Sequence, residues 1–218
     1  MTVKYDFCTM QILLMAATAN EIELFINSYP NVDILVTGVG VPATMYRLQN
    51  RLYKEDYDFV IQAGIAGAFS NELELGQTVF VKQDTFGDSG TEEKHVFTPA
   101  TVSGLIAAHD FPYADGWLIN SNGVPKDSIL KSVKGVTVNT VTDDIVKKQQ
   151  LVTAYNPQVE TMEGAALHYI CMLEEIPFVQ LRSISNYVGE RNKGKWKIKE
   201  AFENLNTELV TLINQLTD

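Results

Sequence analysis

Seven short apolar runs, each bounded by turn residues, constrain the fold of this chain more than any other feature. They are rich in Val, Ile, Leu and Phe: QILLMAA, VDILVTGVG, DFVIQAGIAG, TVFVKQD, GWLIN, GVTVNTVT and FVQLRSIS. Several are apolar throughout rather than alternating with polar residues, which is typical of strands covered on both faces of a sheet. The sequence therefore predicts about seven strands in a buried sheet.

Helical patterns lie between these runs. Helices are predicted over residues 43–54 and 162–173, and from near Trp196 onward. Strands that alternate with helices predict one α/β domain over residues 1–218. Residues 85–115 are the least regular and are expected to form loops or part of an oligomer contact. In the last helix, apolar residues at helical spacing form one stripe that should cover the sheet: Ile198, Phe202, Leu205, Leu209, Leu212, Ile213 and Leu216.

Composition excludes several classes of partner. The 218 residues carry a net charge of -10 and a pI near 4.8, which repels nucleic acid and anionic membranes. The apolar stretch MQILLMAATA is too short to span a bilayer and lacks the basic leader of a secretory signal. The two cysteines and three histidines show no metal-ligand spacing. We therefore expect a cytoplasmic protein with no metal, no membrane partner and no nucleic-acid partner.

Two stretches that follow predicted strands carry residues suited to a ligand site. Glu21 stands where the first strand should end and a helix begin, so it either stabilises a helix N-terminus or orients and deprotonates a water. In QAGIAGAF, Gly64 and Gly67 allow the backbone to turn sharply or to approach a ligand. Their GxxG spacing matches neither a dinucleotide fingerprint nor a phosphate loop.

Two further stretches place charged or polar groups against apolar surface. Glu163 falls in the first turn of the apolar helix 162–173, where it either caps the helix or accepts hydrogen bonds from two ribose hydroxyls. His168 on that helix is given no role. Arg182 lies within an apolar strand, which favours a structural ion pair with a nearby carboxylate over ligand contact. Asn186 lies at the end of the same strand, at the rim where ligands are expected.

Four motifs, AATANE, QAGIAGAF, VETMEGAA and LRSISN, occur in the order and near the spacing of the nucleoside phosphorylase and nucleosidase superfamily. The resemblance covers nearly the whole chain, and LRSISNYVGERNKGKWKIKEA is most similar to the C-terminal signature of the futalosine hydrolase branch. It implies a three-layer α/β/α fold with a central mixed twisted sheet. It also implies a homodimer or larger homo-oligomer that cleaves a purine nucleoside without a cofactor. For that branch, futalosine is split into hypoxanthine and dehypoxanthine futalosine in menaquinone biosynthesis.

The resemblance also implies roles for individual residues. Glu21 matches the glutamate that activates water, Met162 and Glu163 match the residues that hold the ribose, and Asn186 matches the residue that faces the purine. Glu160 is not assigned, because Thr161 adds a residue to the Glu-Met-Glu pattern of adenosine-type nucleosidases. Residues 140–144 are expected near the base. The remaining substrate-binding positions are Gly64, Ala66, Gly67 and Ser185.

Asn186 replaces the aspartate of methylthioadenosine/S-adenosylhomocysteine nucleosidases. The amide oxygen can accept a hydrogen bond from a protonated N7, and the NH2 group can donate one to a 6-oxo group. An aspartate would place an anion against that oxygen. The asparagine therefore predicts a 6-oxopurine such as hypoxanthine, because a 6-aminopurine would leave polar groups unpaired.

The distribution of cations favours water over phosphate as the nucleophile. The first arginine is Arg47, and no Lys or Arg follows QAGIAGAF before Lys82, so the usual arginine-supplied phosphate site is missing. Three alternatives stay open: an adenosine-type nucleosidase, a phosphate-dependent phosphorylase and a non-catalytic nucleoside-binding module. The presence of both Glu21 and Glu163 favours an enzyme over a non-catalytic nucleoside-binding module.

The segment GERNKGKWK has two interpretations. As a charge run it forms a solvated face. As part of a binding site, one of its cations screens the benzoate on the 5' side of futalosine while Trp196 supplies an apolar wall. The cations concerned are Arg191, Lys193, Lys195 and Lys197.

Overall fold

The computed structural model describes residues 10–29, 32–94, 96–123, 128–190 and 192–217. These ranges contain eleven β-strands and five α-helices. The strands are β1 Ile12–Ala16, β2 Asp33–Val36, β3 Phe59–Ala68, β4 Thr78–Asp84, β5 Gly90–Glu93, β6 Val96–Pro99, β7 Tyr113–Ala114, β8 Trp117–Ile119, β9 Lys131–Thr137, β10 Val159–Thr161 and β11 Phe178–Tyr187. The helices are α1 Glu23–Ile26, α2 Val41–Leu52, α3 Ile145–Tyr155, α4 Gly164–Leu173 and α5 Ile198–Thr217.

Nine strands form one mixed sheet, and β5 and β6 form a separate antiparallel hairpin. Parallel pairs join β1 to β2 and β3, β3 to β11, and β9 to β4 and β10. Antiparallel pairs join β10 to β3 and β11 to β4. Because β3, β10, β9, β4 and β11 each pair with the next and β11 pairs back to β3, the sheet closes on itself in its middle. Within this closed ring each of the five strands has two neighbours, and β3 and β4 each pair with one further strand outside it, β1 and β8.

Helices cover both faces of the sheet. Alternate residues of β1 point to opposite sides, as the period of a strand requires. On one side, Leu14 packs in a core cluster with Phe25 of α1 and with the apolar stripe of α5. On the other side, Met15 packs in a cluster with Leu48 of α2 and with α4. The result is the three-layer arrangement that the sequence predicted.

The open edge of β3 creates the space for a site. Strand β1 pairs with the first half of β3, as far as Gln62. On the same edge, β10 pairs with β3 only from Gly67 onward. Between these points the backbone of β3 is free to bond other groups, close to the carboxyl end of β1. Such a fork beside strand ends is a usual location for ligand sites in α/β sheets.

An irregularity in β11 aims two consecutive polar side chains at this fork. Opposite β3, Ile184 pairs with Ala66 and Asn186 pairs with Gly67, so Ser185 is an extra residue in the ladder. A bulge of this kind bends the strand and re-aims its side chains. This explains why LRSISN is buried yet polar at its end, since Ser185 and Asn186 are both turned toward enclosed space.

The structure corrects several element boundaries. The helix predicted over residues 162–173 begins only at Gly164, so Glu163 precedes it. The helix predicted over residues 43–54 is Val41–Leu52, and the last helix begins at Ile198. Strands β5, β6, β7 and β10 and helix α3 were not predicted. The hairpin is polar and exposed along Gly90–Glu93, and β10 has only three residues, so neither produces an apolar run.

Residues 85–115 are therefore not simply loops, because they contain the hairpin and β7. In the described part of the chain, no helix is long and apolar enough to cross a membrane. The single domain over residues 1–218 and the cytoplasmic location stay predictions.

Candidate active site

A cavity of about 260 Å³ opens at the fork between β1, β3, β10 and β11. It also receives the Ala19–Ile22 segment, a 3-10 turn that follows β1, and the start of α5. Of the eight site residues predicted from the sequence, seven line this cavity and Gly64 lies behind its wall. The seven are Glu21, Ala66, Gly67, Met162, Glu163, Ser185 and Asn186. The structure thus brings together residues from four distant motifs, while their roles stay predictions.

Glu21 is buried and fixed through both carboxylate oxygens. Its Oε2 accepts hydrogen bonds from the backbone N–H of Thr18 at 2.9 Å and from the Thr18 hydroxyl at 3.0 Å. Its Oε1 accepts from the backbone N–H of Ile65 on the open edge of β3 at 3.1 Å. These contacts support the structural interpretation of Glu21, while its action on a water stays a prediction. The carboxylate stabilises the turn after β1, and it also forms part of the cavity wall.

Glu163 does not cap helix α4, although it occupies the N-cap position. Its Oε1 accepts instead from the backbone N–H of Gly40, 123 residues away, at 2.9 Å. Burial raises the pKa of this carboxyl, while Arg182 and the Gly40 N–H act in the opposite direction. Arg182 Nη1 lies 4.0 Å from Oε2. The carboxylate therefore keeps acceptor capacity on the side of the cavity, as binding of a ribose diol requires.

Arg182 is almost completely buried and forms the ion pair that the sequence predicted, at the outer limit of such a contact. Its Nη2 also donates to Gln62 Oε1 at 2.6 Å. A Cβ on Gly64 would collide with Nη1 and would lie 2.9 Å from Glu21 Oε1. Gly64 thus gives the guanidinium room to sit beside two carboxylates of the cavity wall, Glu21 and Glu163. Gly64 therefore leaves space for these groups, and its predicted contact with a substrate stays a prediction.

The amide of Asn186 is held in one orientation. Its Oδ1 accepts from the Ser185 hydroxyl at 2.8 Å, and its Nδ2 donates to the backbone oxygen of Tyr187 at 3.2 Å. A flipped amide would place its oxygen against the Tyr187 carbonyl, and two acceptors repel each other. Oδ1 keeps one lone pair and Nδ2 keeps one hydrogen for a ligand. Asn186 therefore offers an acceptor and a donor side by side.

The sequence left Glu160 unassigned, yet it lines the same cavity. Its Oε1 accepts from the backbone N–H of Thr142 at 3.0 Å, so it anchors the segment 140–144 that was expected near the base. Val141 of that segment lies in the cavity wall. The sequence offered no local signal for Glu160, because β10 was not predicted and its place between β3 and β9 is seen only in the structure.

Two aromatic residues supply the apolar side of the cavity. Trp196 is fixed by donating its Nε1–H to the backbone oxygen of Glu190 at 2.8 Å, and Phe202 comes from the first turns of α5. The neighbouring lysines are exposed: Lys195 pairs with Glu190 and Lys197 lies 3.9 Å from a carboxylate oxygen of Glu200. Arg191 lies outside the described residues. The hypothesis that a cation of this segment contacts a substrate stays a prediction.

Two titratable groups lie deeper in the core, away from the cavity. Asp84 accepts from the Thr137 hydroxyl and the Thr85 N–H, and burial raises its pKa to about 7. Burial lowers the pKa of His168 to about 4, so this histidine is neutral at physiological pH. Its Nδ1 donates to the Leu118 carbonyl at 3.0 Å. His168 is a core residue and takes no part in the cavity.

The cavity wall bears no lysine or arginine among the residues that the structure describes. Arg47 is turned away and donates to the backbone oxygen of Val36. Across the described ranges, no group of three or more His, Cys, Asp or Glu side chains could hold a metal ion. The polar side chains of the cavity wall are three carboxylates, an amide and three hydroxyls: Glu21, Glu160, Glu163, Asn186, Thr18, Thr161 and Ser185.

Comparison with known proteins identifies the family of the chain. The family model described as the Phosphorylase superfamily matches residues 16–217. The chain belongs to this superfamily. A futalosine hydrolase of Streptomyces coelicolor is 30% identical over 177 residues, covering 78% of this chain and 73% of that protein. A 5'-methylthioadenosine/S-adenosylhomocysteine nucleosidase of Colwellia psychrerythraea is 24% identical over 198 residues, covering 85% of this chain and 80% of that protein.

A solved structure of the superfamily shares the fold. The native futalosine hydrolase of Helicobacter pylori superposes with a TM-score of 0.76 at 15% sequence identity, covering 95% of this chain and 98% of that chain. The predicted resemblance and the predicted nucleoside phosphorylase-like fold are thus confirmed. The prediction of an enzyme that hydrolyses N-glycosyl bonds is also confirmed.

Proposed function

We propose that this protein hydrolyses the N-ribosidic bond of a 6-oxopurine nucleoside, with futalosine as substrate. The observation that carries the proposal is the fixed amide of Asn186, which shares a cavity with the carboxylates of Glu21 and Glu163. An acceptor for N7–H beside a donor for O6 is the complement of a protonated 6-oxopurine. The products would be hypoxanthine and dehypoxanthine futalosine.

The mechanism that follows is dissociative. As the bond between C1' and N9 lengthens, positive charge grows on the ribose and negative charge grows on the purine. Glu163 accepts hydrogen bonds from the two ribose hydroxyls, with Met162 beside it in the cavity wall. The leaving base takes a proton at N7 from solvent water, and Asn186 Oδ1 accepts a hydrogen bond from that N7–H; Glu21 returns to solvent the proton that it takes from the attacking water. Glu21 directs a water to the anomeric carbon and takes its proton, an effect typically worth about 10²–10⁴ in rate.

Water is the nucleophile best supported by the cavity. Phosphate requires several donors that converge on one anion, usually including Arg or Lys. Such side chains are missing from the cavity wall within the described ranges, and Arg182 is engaged with Gln62 behind it. A bound phosphate would also lie close to the negatively charged carboxylates of Glu21 and Glu163, and like charges repel each other. The charge of the cavity therefore favours a neutral nucleophile.

The choice of futalosine within this class rests on the relatives and on the aromatic wall. Futalosine carries a benzoate on its 5' side, and the faces of Trp196 and Phe202 offer apolar surface for such a ring. The similarity to futalosine hydrolases supports the same substrate. Because futalosine is hydrolysed in menaquinone biosynthesis, a protein with this substrate would act in that pathway.

One experiment distinguishes the candidate activities. The purified protein is incubated with futalosine, methylthioadenosine and inosine, each with and without phosphate, and the released base is identified by chromatography. We expect hypoxanthine from futalosine without phosphate. Preferred release of adenine from methylthioadenosine would select the adenosine-type nucleosidase instead. Strict dependence on phosphate would select a phosphorylase, and no release from any substrate would select a binding module.

We also propose that the protein is a homodimer or larger homo-oligomer. Residues 85–115 expose the apolar side chains of Val96, Val102, Leu105 and Phe111, and a second copy of the chain could cover them. Light scattering on the purified protein tests this proposal. A monomer over the micromolar range would contradict it.

A further inference from the structure

One buried side chain of α5 holds the backbone of the turn that carries Glu21. The Nδ2 of Asn206 donates to the carbonyl oxygen of Glu21 at 2.8 Å. Its Oδ1 accepts from the backbone N–H of Phe25 at 2.9 Å. Nδ2 also donates to the carbonyl oxygen of Phe202, one turn earlier in α5, at 2.7 Å. The amide therefore uses both donor hydrogens and its oxygen to join α5 to the segment after β1.

The two backbone groups that Asn206 bonds would bond each other in a continuous helix. In an α-helix each N–H donates to the carbonyl oxygen four residues earlier, and Phe25 follows Glu21 by four residues. In this chain the helical path is interrupted at Ile22, which has φ −122° and ψ 16° between the 3-10 turn and α1. The Asn206 amide bonds the groups on either side of this interruption. Both buried backbone groups are thereby satisfied although the helix is broken.

The interruption at Ile22 sets the direction of the Glu21 side chain. Its carboxylate bonds Thr18 within the turn and the N–H of Ile65 on the open edge of β3. A continuous α-helix would change the backbone path at Ile22 and rotate Glu21 relative to Phe25. Because Phe25 is anchored in the core, this rotation would fall on Glu21 and carry its carboxylate away from Ile65.

We propose that Asn206 is a positioning residue that holds the Glu21 carboxylate against the open edge of β3. The inference rests on the proposed function, because it concerns the residue proposed to direct the water. It goes further by assigning a role in that step to a side chain 185 residues away in the chain. Asn206 is not among the described residues that line the cavity, so it acts through Glu21. The competing explanation is a purely structural role, in which the amide only satisfies buried groups.

A double-mutant cycle with Asn206→Ala and Glu21→Gln distinguishes the two roles. Asn206→Ala alone should lower kcat for futalosine about tenfold or more, because the water is no longer directed to the anomeric carbon. KM and the affinity for hypoxanthine should change less than about threefold, since Glu21 is not assigned to the ribose or the base. In the Glu21→Gln background, Asn206→Ala should lower kcat by less than about twofold, because the residue through which it acts is already removed. A purely structural loss would lower kcat by the same factor in both backgrounds.

Asn204→Ala is the matched control. Asn204 also lies on α5 and donates its amide to a backbone carbonyl, but that carbonyl belongs to Gly76, at 2.9 Å, and not to the Glu21 turn. We expect this variant to keep kcat near the wild-type value. Asn206→Leu keeps the approximate size of the side chain and is assayed in the same cycle, so poor folding of Asn206→Ala does not decide the outcome. For each variant, kcat is referred to the folded fraction measured by circular dichroism.

Crystal structures of the wild type and the Asn206 variants give a readout that does not depend on turnover. We expect Glu21 Oε1 to lose the N–H of Ile65, from which it accepts at 3.1 Å in the wild type. An unmoved Glu21 carboxylate in the variants, or equal losses of kcat with and without Glu21→Gln, would overturn the proposal. A wild-type protein that cleaves no nucleoside would contradict the proposed function, and the crystal structures would still test the position of Glu21.

Discussion

Arg182 occupies the space in which a side chain at Gly64 would begin. A Cβ on Gly64 would overlap the guanidinium and approach Glu21 Oε1 within 2.9 Å. The guanidinium in turn lies 4.0 Å from Glu163 Oε2. This one close approach therefore sets the positions of a buried cation and of the two carboxylates proposed to act on water and ribose.

We expect Gly64→Ala to destabilise the protein and to abolish most activity. Overpacking of a filled core typically costs about 1–3 kcal/mol, and here the displaced groups would be Arg182 and Glu21. Thermal melts and kcat/KM on futalosine measure the two effects. Gly67→Ala is the comparison, because its Cβ would meet its nearest neighbour, Val188, at 3.1 Å and so disturbs less. Equal stability of Gly64→Ala and wild type would contradict the packing argument.

Glu21→Gln should lower kcat by about 10²–10⁴ while the fold stays intact, because the amide cannot take a proton from water. Glutamine retains one acceptor for the N–H groups of Thr18 or Ile65, so circular dichroism and the melting temperature should change little. Glu23→Gln removes an exposed carboxylate two residues away and serves as the control. Unchanged turnover in Glu21→Gln would remove the residue from the mechanism.

Asn186→Asp should shift the preference toward 6-aminopurines. A carboxylate can accept from a 6-amino group but repels a 6-oxo group, so the ratio of kcat/KM for a 6-amino over a 6-oxo substrate should rise about 5- to 150-fold. The Ser185 hydroxyl can still donate to position 186 in this variant. A ratio that stays at its wild-type value would show that the amide does not contact the base.

Asp84→Asn should make the stability of the protein less dependent on pH. The folded pKa of Asp84 is raised from 3.8 to about 7, so between these values the folded state holds a proton that the unfolded state releases. The contribution of Asp84 to the unfolding free energy of the wild-type protein therefore falls as the pH rises from 3.8 to about 7. Relative to wild type, the variant should gain about 3 kcal/mol in unfolding free energy between pH 5 and pH 8.

Urea denaturation at the two pH values measures this gain for Asp84→Asn. The exposed carboxylate of Asp56 provides the control, since Asp56→Asn should change stability equally at both pH values. A constant difference between Asp84→Asn and wild type would show that the buried carboxyl does not titrate in this range.

Charge reversal near the cavity tests the hypothesis of a 5' carboxylate contact. Lys193→Glu, three residues before the cavity residue Trp196, should raise the apparent KM for futalosine but not that for inosine, which lacks the benzoate. Lys199→Glu reverses another exposed charge, on α5, where Lys199 lies 3.7 Å from Glu203 Oε1, and is the control. A normal apparent KM for futalosine in Lys193→Glu would count against contact by this lysine.

The apolar runs were enough to place the long strands and the fold class. Strands β1, β3, β4 and β11 lie where continuous runs of Val, Ile, Leu and Phe predicted them. A strand that is buried on both faces needs apolar residues at successive positions, so it is visible as such a run in the sequence. The stripe of α5 was visible for the same reason, and Leu205 and Leu209 do pack on the sheet. Elements with little buried apolar surface, such as β5 and β10, left no such pattern.

For the cavity, the sequence by itself determined which residue types stand at or near it: Glu21, Gly64, Glu163 and Asn186. Some of their partners are close in sequence, such as Thr18 for Glu21, but only the tertiary structure decided the partners that are far away in the chain. Glu163 meets Gly40, and Glu160 meets Thr142. Hydrogen bonds across such separations depend on closure of the sheet and on the bulge at Ser185, and neither is encoded in local periodicity.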